Sequence, residues 1–144
     1  MIQKTTWKNC LIFGINLIGI VFVLGCKPKE VDCLVKAKFI YVNQTNYNIE
    51  TPIGIISPNS SLTKNNSSLG PCSISSESYV PPFVGDTKII FDGNKCLTYN
   101  SISAGKGEGP VGINNYANEK LGNLYYQFTY TFTEFEYNQA EDCD

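Results

Sequence analysis

The sequence contains no histidine and no arginine. Histidine is the usual general base and metal ligand near neutral pH, so histidine-dependent triads, cysteine–histidine dyads and histidine-containing zinc sites are excluded. Without arginine, the chain lacks the planar guanidinium that holds a carboxylate or phosphate through two parallel hydrogen bonds. These absences exclude many of the familiar types of enzyme site.

The sequence also has no excess of positive charge and no visible basic patch. It has 11 lysines and 13 acidic residues. Two of the lysines and none of the acids lie in residues 1 to 25, so the remainder carries a net charge of about −4. Nucleic acid is bound through clustered basic residues, and this balance therefore argues against a nucleic-acid partner.

An apolar run at the N-terminus, CLIFGINLIGIVFVLG, covers residues 10 to 25. It follows a short stretch with Lys4 and Lys8 and no acid, which is the order of regions in a secretory signal peptide. A helix needs about 20 apolar residues to cross a bilayer, whereas this run has 16 and contains Asn16. The pattern favours a signal peptide over a membrane-spanning helix.

The run ends in VLGC, residues 23 to 26, which resembles the lipobox of bacterial lipoprotein signals. Val23, Gly25 and Cys26 match that motif, and Leu24 is bulkier than its usual residue. The resemblance implies a diacylglycerol, palmitate-type anchor on the Cys26 sulfur and cleavage before this residue. The alternatives are an ordinary signal peptide cleaved nearby, or an uncleaved anchor in which Cys26 is a plain thiol.

This interpretation divides the chain into three parts. Residues 1–25 are a lipoprotein signal peptide, residues 26–33 are the lipidated N-terminus with a charged tether, and residues 34–144 are one folded domain. The 119 residues from Cys26 onward suffice for one domain with its own core and are too few for two ordinary ones.

Four cysteines remain after Cys10 and Cys26 are assigned to the signal and the lipid, namely Cys33, Cys72, Cys96 and Cys143. An even number in an exported chain indicates disulfides, and no C-x-x-C pair suggests a zinc or redox site. Three pairings are possible. We prefer Cys33–Cys143 with Cys72–Cys96, because the first bond would join the two ends of the domain.

Several segments alternate apolar and polar residues with the period of a β-strand. The first lies at 34–43, where alternate residues form one apolar side: Val35, Ala37, Phe39 and Tyr41. A turn at 44–46 predicts a hairpin between this strand and residues 47–50, followed by a further strand after Pro52. Residues 87–99 predict a second hairpin around Asp92 and Gly93.

The last clear strand is LYYQFTYTF at 124–132, and Thr133 with Glu136 has capping-box spacing for a short helix after it. A second short helix is expected at 113–121. Residues 57–78 are rich in serine and asparagine and predict a long loop with one short strand around 72–76. The fold class is therefore all-β: an antiparallel two-sheet β-sandwich of six to eight short strands with one or two short helices, closed by disulfides.

The glycine-rich segment SAGKGEGPVG contains the spacing G-x-G-x-x-G at Gly107, Gly109 and Gly112. Pro110 inside the motif prevents a smooth helix start, and no Ser or Thr follows Lys106 as a phosphate loop requires. We expect a flexible loop rather than a nucleotide site.

Three further groups of residues are candidate sites. The C-terminal acids resemble the paired carboxylates of glycosidases but are better explained as a solvated end: Glu134, Glu136, Glu141, Asp142 and Asp144. Oxygen atoms of Asp86, Asp92, Asn94 and Glu108 are candidate calcium ligands, but Asp92-Gly93-Asn94 is better explained as turn chemistry, so no metal and no cofactor is predicted. Aromatic residues near loops are candidate glycan-stacking platforms: Tyr47, Tyr79, Phe83, Tyr99 and Tyr116.

The pattern KAKFIYVNQTNYNIE…IIFDGNKCLTY…YYQFTYTFTEFEYNQA resembles small uncharacterised lipoproteins of Bacteroidetes-type bacteria. The resemblance covers most of the chain after Cys26 and implies the outer membrane, on its periplasmic or surface side. The predicted function is a non-enzymatic module that binds another envelope protein. The alternatives are a glycan-binding lipoprotein using the loop aromatics, and a carboxylate enzyme or an inhibitor of secreted enzymes.

Overall fold

The computed structural model describes residues 32 to 143, which form an all-β domain. One short α-helix, α1 (Glu134–Gln139), lies within this part of the chain. The strands are β1 (Cys33–Asn43), β2 (Ile49–Thr51), β3 (Gly54–Ile56), β4 (Ser61–Gly70), β5 (Thr87–Phe91), β6 (Lys95–Tyr99), β7 (Ser101–Ser103), β8 (Lys106–Gly107), β9 (Ala117–Gly122), β10 (Tyr125–Phe132) and β11 (Glu141–Asp142). Short 3₁₀ turns occur at Ser76–Ser78, Gly109–Val111 and Ile113–Asn115.

The first sheet has the strand order β4, β1, β10, β9. β1 pairs antiparallel with β4 and parallel with β10, so the sheet is not wholly antiparallel. The predicted hairpin between β1 and β2 is wrong, because β2 belongs to the second sheet. The buried Asn43 side chain donates to the carbonyl oxygens of Tyr47 and Ile56, and so fixes the chain where it leaves β1.

The second sheet has the order β11, β6, β5, β2, β3, with antiparallel pairing throughout these strands. The predicted hairpin at 87–99 is confirmed as β5 and β6. Phe91 pairs with Lys95 across a three-residue loop, 92–94, in which the Asn94 N–H donates to the Phe91 carbonyl oxygen at 3.2 Å. The two central residues of this turn, Asp92 at φ 45° and Gly93 at φ 73°, are both left-handed.

The core lies between the two sheets. The predicted apolar side of β1 is buried, and β10 buries Phe128, Tyr130 and Phe132 from its alternating sequence. The Phe39 and Phe128 rings stack with centroids 5.2 Å apart. The second sheet contributes fully buried aliphatic and aromatic side chains to the same cluster: Ile49, Ile56, Ile89 and Phe91. The predicted all-β fold with its two main sheets is confirmed, but residues 32–143 contain eleven strands rather than six to eight, and β7 with β8 forms a separate two-stranded sheet.

The disulfides confirm the four predicted cysteines but not the preferred pairing. The bonds are Cys33–Cys72 and Cys96–Cys143. Strand register explains this result, because Cys33 lies opposite Gly70 on β4 and Cys96 lies opposite Glu141 on β11. In each case the partner cysteine follows two residues later. The two ends of the described domain are therefore each tied to a neighbouring strand rather than to one another.

The long loop predicted at 57–78 is wrong over ten residues, because β4 spans Ser61–Gly70. The short strand expected around 72–76 is also wrong, since this segment bends and enters the 3₁₀ turn Ser76–Ser78. β4 pairs with β1 at ten consecutive positions. Its side chains are almost all exposed on both sides of the sheet. Because neither side of the strand is buried, its sequence does not alternate apolar and polar residues. The pairing with β1 and the Cys33–Cys72 bond compensate for its low apolar content.

The helix expected at 113–121 is also wrong. This segment begins with the turn Ile113–Asn115 and continues as β9, an edge strand whose residues are all exposed. By contrast, the helix predicted after β10 is confirmed. The Thr133 backbone N–H and hydroxyl both donate to Glu136, at 2.8 and 2.6 Å, within the capping box.

The glycine-rich segment is packed rather than loose, with Pro110 and Val111 buried. A Cβ atom at Gly109 would overlap the ring of Tyr99, and one at Gly112 would overlap the carbonyl oxygen of Gly107. The glycine spacing therefore allows close backbone packing.

Within residues 32–143, no helix has the length and apolar character needed to cross a membrane.

Candidate functional site

Among residues 32–143, β4 forms an open edge of the first sheet, with β1 on one side of it and no strand on the other. The Asn43 N–H donates to the Ser60 carbonyl oxygen, and antiparallel pairs alternate in their hydrogen bonding. The even-numbered residues of β4 therefore point their backbone groups at β1. The odd-numbered ones point theirs outward, and we call this set the free edge: Ser61, Thr63, Asn65, Ser67 and Leu69.

The free edge lacks the features that usually prevent strand pairing. β4 contains no proline and only Lys64 as a charged residue, and its register with β1 has no bulge. Leu69 is 71% exposed. At the opposite end of the sheet β9 is shorter, carries Glu119 and Lys120, and shifts register against β10. β4 is therefore the more accessible edge for an added strand.

Three lysines surround the free edge. Lys64 lies on β4, and Lys36 and Lys38 lie on β1 opposite Ser67 and Asn65. Neither β1 nor β4 contains an acidic residue. No carboxylate among residues 32–143 forms an ion pair with these lysines. Within the described part of the chain, the edge consequently carries positive charge without a counter-ion.

Small cavities border β4 on both sides of the sheet. One of about 350 Å³ lies on the outer side and is lined by Lys36, Asn65, Ser67 and Tyr125 among others. The second, of about 150 Å³, lies on the core side, where Ile74 and Val80 contribute apolar surface. Strand addition uses such pockets for alternate side chains while main-chain hydrogen bonds supply affinity.

The aromatic residues predicted as glycan platforms lie mostly in the core. Tyr79, Phe83, Tyr99 and Tyr116 are each at most 8% exposed. Tyr47 is partly buried and stacks on Tyr137 with ring centroids 3.6 Å apart. Four of the five rings are therefore packed in the core and unavailable as platforms, whereas Tyr47 stays partly exposed with one ring face covered by Tyr137.

The hydroxyls of these buried tyrosines are used within the protein, with one exception. Tyr79 donates to the Leu124 carbonyl oxygen at 3.1 Å, and Tyr116 donates to the Pro110 carbonyl oxygen at 2.5 Å. The Tyr99 hydroxyl is buried without a partner at hydrogen-bonding geometry among residues 32–143. Burial, and then the neighbouring Tyr130, raise the pKa of Tyr99.

Tyr99 belongs to an open groove of about 600 Å³ between β6, β10 and α1. Phe135, which is 68% exposed, lies on this groove together with Glu136 and Gln139. Burial raises the pKa of Tyr130, which also lines the groove, to about 12. The groove therefore combines one exposed ring with polar side chains and has no lysine in its lining.

The C-terminal carboxylates are dispersed along α1 and β11. Glu136 is held by the capping box and by the Tyr130 hydroxyl, and Glu134 accepts from the Asn46 N–H at 3.4 Å. Glu141 and Asp142 are exposed in β11, while Asp144 lies outside the described residues. Residues 32–143 contain no cluster of three or more acidic or cysteine side chains suited to a metal ion.

The lipidation candidate Cys26 lies outside the described residues. Sequence reasoning missed the free edge, although the signal was partly visible. Alternation alone places Lys36 and Lys38 on the outer side of β1. The edge strand beside them, β4, could not be predicted because its serine- and asparagine-rich sequence is typical of a loop.

No family model matches the chain, and neither the curated proteins nor the solved structures contain a match. The function therefore has to follow from the residues and their geometry alone.

Proposed function

We propose that this protein is a lipid-anchored, non-enzymatic module of the bacterial outer membrane that binds another envelope protein. The partner adds an extended segment to the free edge of β4. The observation that carries the proposal is this ten-residue strand, exposed on both sides, with its outward backbone groups available. The lipobox resemblance at Cys26 supports the anchor and the location.

The interaction is tested by placing a photoreactive amino acid in the full chain in whole cells. Asn65, at the centre of the free edge, is the test position, and Asn118 on β9 is the matched control. We expect one dominant partner from Asn65, with crosslinks from Thr63 and Ser67 reaching partner residues two positions to either side of the one that Asn65 reaches. Adducts that are the same from Asn118, or that lack this spacing, would contradict strand addition.

The anchor is tested separately by the intact mass of protein purified from the native membrane. We expect the mass of residues 26–144 with two disulfides and acyl chains on Cys26. Two or more acyl chains hold a protein stably at a bilayer. An unacylated mass would remove the anchor and the proposed location, but it would leave the crosslinking result unaffected.

Ligand binding is the second candidate function. We place the candidate site in the groove beside α1, because most of the aromatic residues named from the sequence are buried. The observation in its favour is the exposed Phe135 ring, which lines this groove together with the polar side chains of Glu136 and Gln139. A glycan array compares the native chain with Phe135→Ala, and Ile102→Ala at an exposed site outside the groove is the control. Hits that Phe135→Ala removes would favour this function, and an array without hits would dismiss it.

A further inference from the structure

We propose that the segment received by β4 is acidic, with carboxylates at alternate positions on the side of the sheet where Lys36 and Lys38 lie. This inference rests on the proposed function, because it names the chemistry of the partner at the same edge. It commits to an acidic strand of another protein rather than to a second copy of this chain.

The alternation of side chains along β1 places the two lysines on one side. Phe39 and its odd-numbered neighbours face the core, so Lys36 and Lys38 face outward. Residues directly opposite one another in a pair share a side of the sheet, so Ser67 and Asn65 also face outward. Both lysines therefore have a short β4 side chain between them and the free edge.

Distance allows these lysines to reach an added strand. Neighbouring strands lie about 4.8 Å apart, so the added strand would run roughly 10 Å from β1. A lysine ammonium on its flexible four-carbon stem extends across the short Ser67 and Asn65 side chains. Carboxylates at every second residue of the added strand would then lie beside Lys36 and Lys38. The cavity bordered by Lys36, Asn65 and Tyr125 leaves room for them.

Charge selects an acidic strand over a second copy of β4. Antiparallel pairing of two β4 strands about Asn65 would place Lys64 of each copy diagonal to the other on the same side. It would also bring Lys36 and Lys38 of both copies to the same interface, where neither β1 nor β4 supplies an acidic residue. Like charges across a sheet are destabilising, whereas alternating carboxylates provide the missing counter-ions.

The core side of the same edge suits different residues. Ile74, Tyr79 and Val80 border the small cavity beside Asn66 and Ser68. Since successive residues of the added strand point to opposite sides, a small apolar residue there would alternate with the carboxylates outside. The partner segment therefore alternates acidic and small apolar or hydroxyl-bearing residues.

The test uses the full-length protein purified in detergent and three labelled peptides of about ten residues. Threonine alternates with glutamate in the first peptide, with glutamine in the second and with lysine in the third. Fluorescence anisotropy gives each Kd at low and at physiological salt. We expect the glutamate peptide to bind at least about tenfold more tightly than the glutamine peptide, or about 1.4 kcal/mol. This difference should shrink as salt screens it.

Matched variants separate charge from strand addition. Lys36→Gln with Lys38→Gln should abolish the preference for the glutamate peptide, whereas Lys88→Gln with Lys106→Gln, at exposed lysines elsewhere, should leave it unchanged. Asn65→Pro should abolish binding of every peptide, because it removes an outward N–H without breaking a bond to β1. An unchanged urea midpoint shows that each variant remains folded.

Each outcome has one meaning. Equal affinities for the glutamate and glutamine peptides, or a preference insensitive to the Lys36 and Lys38 changes, would overturn the acidic partner. If Asn65→Pro still abolished binding in that case, strand addition and the proposed function would stand. If no peptide bound and crosslinking from Asn65 also failed, both would be overturned.

Discussion

Gly109 lies directly against the ring of Tyr99, with a φ of 47° and no space for a Cβ atom. Two physical requirements coincide at this glycine, since the backbone is left-handed and the ring occupies the position of any side chain. Gly109→Ala should therefore lower the free energy of unfolding by about 2–4 kcal/mol, through overpacking and backbone strain together. Urea unfolding followed by tyrosine fluorescence measures this loss.

Gly85 is the matched control for that substitution. Its φ of 70° is also left-handed, but a Cβ atom added there would meet no other atom within 4 Å. Gly85→Ala should cost only the backbone term, about 1 kcal/mol. Equal losses at the two glycines would mean that contact with Tyr99 contributes nothing.

The two disulfides should separate in a non-reducing digest into one fragment pair containing Cys33 and Cys72 and another containing Cys96 and Cys143. Replacing Cys96 and Cys143 together by serine should lower stability by about 2–4 kcal/mol, because the unfolded chain regains the freedom of a 47-residue loop. The same replacement of Cys33 and Cys72 should cost a similar amount. A fragment joining Cys33 to Cys143 would contradict the observed strand register.

Local sequence was sufficient for the elements that bury one side. β1, the β5–β6 hairpin, β10 and the cap of α1 all follow from alternation, turn residues or capping spacing. β4 and β9 could not be found in this way, because both are exposed edge strands whose conformation depends on pairing with β1 and β10. The disulfide pairing likewise depends on register between strands that are distant in sequence.

The candidate site shows the same division. Lys36 and Lys38 could be assigned to the outer side of β1 from alternation alone, but their relation to Asn65 and Ser67 is a tertiary contact. Four of the five aromatic residues near predicted loops are buried for a related reason. Loop position indicates exposure only on average, and here the loops carry rings such as Tyr116 back into the core, where it lies against Tyr41.

The buried Asn43 should be among the most sensitive polar positions. Its amide donates to the carbonyl oxygens of Tyr47, Ile56 and Ser57, and its oxygen accepts from the Thr45 N–H and hydroxyl. Asn43→Leu should cost about 3–5 kcal/mol in urea unfolding, since several buried polar groups would lose their partners.

Gln44→Leu, at the exposed neighbouring position, is the control for that change and should cost under about 0.5 kcal/mol. Asn43→Asp keeps the shape of the side chain but turns its donor into an acceptor facing carbonyl oxygens. It should therefore also be destabilising. A small loss in both Asn43 variants would show that water satisfies the groups left behind.

Alkaline pH should unfold the protein through its buried tyrosines. Burial raises the pKa of Tyr130 to about 12 and raises the pKa values of Tyr41, Tyr99 and Tyr116 further, from an ordinary 10.0. The folded state therefore keeps protons that the unfolded chain releases, and stability falls as pH rises above about 10. Below pH 9 this contribution is fully present, and the chain has no histidine that would titrate near neutrality.

Urea midpoints from pH 7 to 11 should be constant at first and then drop, while phenolate absorbance from the buried rings appears together with unfolding. Full phenolate absorbance from a chain that remains folded at pH 11 would contradict this burial.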